Sequence, residues 1–65
     1  MPFWFGFRQV VPKPPGSWIG SGPFSSYEAA KAAYEREKLN WDAQVLPPFE
    51  AETEAEANRI AQERG

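Results

Sequence analysis

A chain of 65 residues holds one domain, and the absence of cysteine and histidine excludes disulfides and removes the usual ligands of zinc, haem and iron–sulfur clusters. Seven basic and nine acidic side chains give a formal charge of −2 with no basic run, which suits counterion-release binding to a phosphate backbone poorly. A domain of this size buries only about 60% of its unfolded surface, so stability must come from packing or from oligomerisation.

The packing material is aromatic. Phe3, Trp4, Phe5, Phe7, Trp18, Phe24, Tyr27, Tyr34, Trp41 and Phe49 place ten rings in a short chain. Each buried ring removes roughly 150–250 Å² from water. A core this small can hardly enclose all of them, so some rings are expected on the surface or in an interface. Charge is uneven as well: residues 1–23 carry Arg8 and Lys13 and no acid, whereas all nine acids follow.

Residues 3–11 read as a strand. Phe3, Phe5 and Phe7 alternate with Trp4, Gly6 and Arg8, which puts the three Phe rings on one side of a pleat and Trp4 with Arg8 on the other. Pro12 stops the run. Residues 12–24 read as a Pro/Gly loop, stiffened by Pro12, Pro14 and Pro15 and able to reverse at Gly16. Within it, Trp18-Ile19 is the place for a very short strand returning along the first.

A helix is predicted over about 26–39. Ser25 and Glu28 have the spacing of a capping box, Phe24 and Ala29 that of a hydrophobic staple, and Tyr27, Ala30 and Tyr34 line one stripe. Asn40 suits the helix exit. Residues 41–46 alternate again as a second strand until Pro47-Pro48. Thr53 and Glu56 form a second capping box for a helix over about 54–64, with Ala57, Ile60 and Ala61 as its apolar stripe. The two halves echo each other, Gln9-Val10-Val11-Pro12 against Gln44-Val45-Leu46-Pro47, a likeness read as a shared strand–turn–helix grammar, with internal duplication as the alternative.

Several motifs carry chemistry at first sight. Gly16, Gly20 and Gly22 precede a helix, but Pro23 removes a donor and no Lys-Ser or Lys-Thr pair follows, so a turn is the better reading than a phosphate nest. Pro12-Lys13-Pro14-Pro15 has the spacing that SH3 domains read, without an adjacent basic anchor. Phe5-Gly6-Phe7-Arg8-Gln9-Val10 resembles the Gly-Phe-aromatic strand of RNA-recognition modules over six residues, although Phe5 and Arg8 depart from the full pattern. The run from Gly20 to Ala30 resembles the strand-to-helix junction of SPOR domains, which bind peptidoglycan; it spans eleven residues and is read as a shared capping solution. Glu50, Glu52, Glu54 and Glu56 flank a helix N-terminus, where acids compensate the dipole.

Nucleophile–base catalysis lacks its usual side chains, and a chain this short has little volume for a pocket of roughly 300–1,000 Å³. No enzyme, catalytic residue, cofactor or metal is therefore expected. The apolar opening, Met1 to Phe7, ends at Arg8 with no preceding charge, and no stretch approaches the ~20 apolar residues of a membrane span. A cytoplasmic protein without a membrane segment is the expectation.

The fold predicted is a small α+β domain, order β-(β)-α-β-α, in which two helices pack on one face of a two- or three-stranded sheet. Phe3, Phe5 and Phe7 meet those helices through Tyr27, Ala30, Tyr34 and Ile60. The opposite face then exposes Trp4 and Arg8, with Trp18 and Trp41 as further candidates, and these four are the predicted binding residues. The function expected is a non-enzymatic protein-interaction module whose partner is another protein or a second copy in a homodimer, through the open sheet face or an edge. The alternatives are single-stranded nucleic-acid binding by the same face, disfavoured by the charge, and a structural subunit of a larger assembly.

Overall fold

The computed structural model describes residues 1–65. It contains β1 (Phe3–Gln9), β2 (Ile19–Phe24), α1 (Tyr27–Lys38), β3 (Ala43–Glu50) and α2 (Glu54–Arg64). The strands form one antiparallel sheet in the order β2-β1-β3. This small α+β architecture and its β-β-α-β-α order are those expected from the sequence. No helix is long and apolar enough to cross a membrane.

The helices do not share a face. Trp4 and Phe5 are consecutive in the central strand, so their side chains point to opposite sides, yet they are only 3% and 2% exposed. On the Phe side lies α1: Tyr27 meets Phe3 edge-on with ring centroids 6.0 Å apart, Tyr34 meets Phe5 at 6.4 Å, and Phe24 stacks on Phe5 at 5.9 Å. On the Trp4 side lies α2, where Trp4, Phe49, Ala51, Ala57 and Ala61 form a separate buried cluster flanked by Trp18 and Ile60. The expectation of both helices on one face, with Ile60 against the Phe rings, is corrected accordingly. Its physical cause is that β1 is apolar on both sides. The Trp4 indole needs a cover of its own, and the small Ala57 and Ala61 methyls let α2 approach closely enough to supply it. Full burial of a side chain such as Phe5 contributes about 1.5–3 kcal/mol relative to exposure.

The close approach of α2 also explains Gly20. A Cβ at that position would overlap the Ala57 methyl, so the β2 backbone passes directly under the helix. At Gly6 an added Cβ would stand 2.7 Å from Leu46 Cδ1 and 2.8 Å from its Cβ. Glycine at these two pleat positions makes room for α2 and for Leu46.

The flanking strands are longer than the sequence suggested. β2 runs six residues, through Gly22-Pro23, and β3 runs eight residues, through Pro47-Pro48. Prolines fit because both strands are edges and each carries a bulge at that point. Between Phe3 and Phe5 the register on β2 advances from Phe24 to Ser21; between Trp4 and Gly6 the register on β3 advances from Phe49 to Leu46. β1 itself ends at Gln9 rather than residue 11, although Val10 N still donates to Asp42 O at 2.8 Å. Gly16 N donates to Gln9 O at 2.7 Å and folds the proline loop back on the strand end.

The helix starts use the predicted chemistry with one shift. Ser26, not Ser25, caps α1, its hydroxyl accepting from Ala29 N at 3.1 Å. Thr53 caps α2 as expected and accepts from Glu56 N at 3.2 Å; the Glu56 carboxylate reaches back to Glu52 N at 3.3 Å, one residue before the cap.

Both sheet edges carry features that obstruct a further strand. α2 lies along β2 so that Asn58 Oδ1 accepts from Gly20 N at 2.7 Å and, one turn on, Gln62 Nε2 donates to Trp18 O at 3.4 Å. These are the groups that β2 turns away from β1. On the other edge, Pro47 and Pro48 have no N–H to offer. Blocked edges of this kind prevent sheet-to-sheet association.

Candidate protein-interaction groove

The four residues picked from the sequence do not form one surface. Trp4 is a core residue, and its indole Nε1 donates to Ala51 O at 2.9 Å beneath α2. Its predicted exposure is corrected, because α2 occupies the side of the sheet that was expected to stay open. Arg8 is half-buried on the same side, its guanidinium 4.8 Å from the centre of the Trp18 ring. That group also donates to Gln44 Oε1, while Arg8 Nε is buried without a partner. Trp18 is half-buried between Arg8 and the α2 cluster. Trp4, Arg8 and Trp18 thus belong to one packed layer, and Trp41 lies apart, 94% exposed, in the turn between α1 and β3.

The open surface is on the other side of the sheet. There α1 lies over β3 and β1 and makes few contacts with β2. The uncovered strip is a groove of about 390 Å³. Its floor is Phe5, Phe7, Ile19 and Phe24, with Ser21 between them; its wall is the flank of α1, from Ala33 to Arg36 and Glu37. Ile19, at 44% exposure, offers the most accessible apolar surface of the floor. Arg36 makes no ion pair within the chain, where Arg59 and Glu63 form the one salt bridge.

Why the groove exists can be traced to residue sizes. Tyr27 and Tyr34 anchor α1 to Phe3 and Phe5, and Ala30 between them is fully buried, so the helix sits close to β1 and leans toward β3. Ala33, on the β2 side of that stripe, is too small to reach Ile19 or Phe24. At about 390 Å³ the groove reaches the lower end of the range of natural ligand pockets, which corrects the expectation that so short a chain has little room for one, and a floor of rings with a charged rim is the composition of a protein or peptide site.

The alternation along β1 assigns the whole Phe face to the core. Phe7, Ile19, Ala33 and Arg36 were therefore missed as surface, and the one available signal was alanine beside the Tyr27–Tyr34 stripe. Set against protein-family models, curated proteins and solved structures, the chain matches none.

Proposed function

We propose that this chain is a small non-enzymatic protein-interaction module that receives apolar side chains of its partner in the groove between α1 and β2. The observation that carries the reading is the apolar floor, where Phe7, Ile19 and Phe24 stay partly exposed beside the buried Phe5 because α1 packs mainly on β3. Stacking on single-stranded nucleic acid would instead use Trp4 and Arg8, and α2 covers that layer.

Peptide display on the immobilised domain tests this. Wild type should enrich peptides carrying a bulky aromatic or aliphatic residue. Ala33→Arg, which fills the wall of the groove from a helix position that tolerates arginine, should lose at least about tenfold in capture, as expected when a central apolar contact is blocked. Circular dichroism confirms that the variant is folded. If the captured peptides bind both proteins equally, the groove is not the binding surface.

A further inference from the structure

We infer that the occupant of the groove is the Leu39–Trp41 tip of a second copy of this chain, each copy inserting its tip into the other; this rests on the groove reading above and names its partner. Trp41 is 94% and Leu39 79% exposed, and together they form an apolar tip on a chain short of core material.

The tip is held rigid. Leu39 N and Asn40 N donate to Arg36 O and Glu37 O, Ala43 N donates to Asn40 O at 3.2 Å, and Asn40 Oδ1 accepts from Asp42 N at 2.9 Å. These bonds fix the backbone of the turn, so only the Trp41 and Leu39 side chains need be ordered on docking, and a large exposed indole is the kind of side chain that anchors interfaces.

Tip and groove are complementary in charge as well as in apolarity. Asp42 follows Trp41 and has no ion-pair partner in its own chain, while Arg36 stands unpaired on the groove wall. Asn40 has its carbonyl oxygen engaged by Asp42 N, which leaves its amide N–H groups free to donate to Glu37, the other charged group of the wall. Asn58 and Gln62 obstruct the β2 edge, Pro47 and Pro48 interrupt the β3 edge, and α2 covers Trp4 on the opposite face, so the Leu39–Trp41 tip and the groove are the apolar surfaces that face one another most readily. Arranged about a two-fold axis, the dimer contains the tip-in-groove contact twice and closes on itself.

Sedimentation equilibrium of the full chain up to about 1 mM, the weak end of specific association, reads this directly. Wild type should be a dimer. Trp41→Ala should weaken the association at least about 30-fold, the loss expected on truncating a tryptophan anchor, and Ala33→Arg should do the same from the groove side. Should Ala33→Arg fail to fold, Ile19→Lys replaces it. The two variants mixed should associate more strongly than either alone, since the intact tip of one meets the intact groove of the other. A wild type that stays monomeric overturns the second-copy inference and leaves the groove to be judged by peptide capture. A dimer indifferent to Trp41→Ala, or a mixture that gains nothing, overturns it equally.

Discussion

Asn58 on α2 accepts the outward N–H of Gly20 on β2 at 2.7 Å, a side chain standing where a neighbouring strand would otherwise bond. Asn58→Ala leaves that partly buried donor unpaired and should cost about 1 kcal/mol in urea unfolding. Adding Gln62→Ala frees Trp18 O as well. The double variant should then associate through its reopened edge, and light scattering of the folded protein at rising concentration would detect it. Unchanged scattering would mean that the edge is protected by something else.

Gly20 and Ala57 are a matched pair. Gly20→Ala forces the two methyls to overlap, and overpacking of this kind should destabilise the domain by about 1–3 kcal/mol. Ala57→Gly alone should cost about 1 kcal/mol through helix propensity. In its presence Gly20→Ala should become cheaper but not free, since the backbone C and Cα of residue 57 still stand 3.0 and 3.2 Å from the added Cβ. A double-mutant cycle in urea measures the coupling, and strict additivity would contradict the packing described.

Adjacent serines separate the local from the tertiary signal. Ser26→Ala should cost about 1 kcal/mol through loss of the bond to Ala29 N, whereas Ser25→Ala should stay within about 0.5 kcal/mol. A larger cost for Ser25→Ala than for Ser26→Ala would return the cap to Ser25.

The three tryptophans occupy three environments, and fluorescence distinguishes them. In the monomer, Trp41→Phe should shift emission to the blue and remove most of the quenching by iodide, because Trp4 is enclosed and Trp18 half-covered. Trp4→Phe should leave the quenching and lower stability by about 1–3 kcal/mol, since Ala51 O loses its buried donor. Quenching that survives Trp41→Phe would show the exposure pattern to be wrong.

How much of this was legible depended on how local the cause was. Both helices were readable because capping is settled within four residues, and at Thr53 no rival existed. At α1 the sequence favoured Ser25, which has Glu28 three residues on. The structure uses Ser26, a start that turns Tyr27 toward Phe3 and buries Ala30, so packing outweighed the reciprocal carboxylate. The proline-ended strands were shortened in the reading because a proline looks like a stop until it is known that the strand is an edge. Placing α2 was harder still. Alternation marks the Phe side as core but cannot say that Trp4, on the other side, has a cover, and the alanines that provide it look like helix filler. The groove had almost no sequence signal, because it arises from the lean of α1 toward β3.

The central place of β1 has a kinetic consequence. Its pairing with β2 is a hairpin closed across the proline loop, but its pairing with β3 joins Phe3 to Glu50 and Trp4 to Phe49, residues more than two thirds of the chain apart. Contacts so distant in sequence are formed late and set a slow folding rate for a domain of this length. During synthesis β1 would wait, with the Trp4 side uncovered, until α2 had followed it.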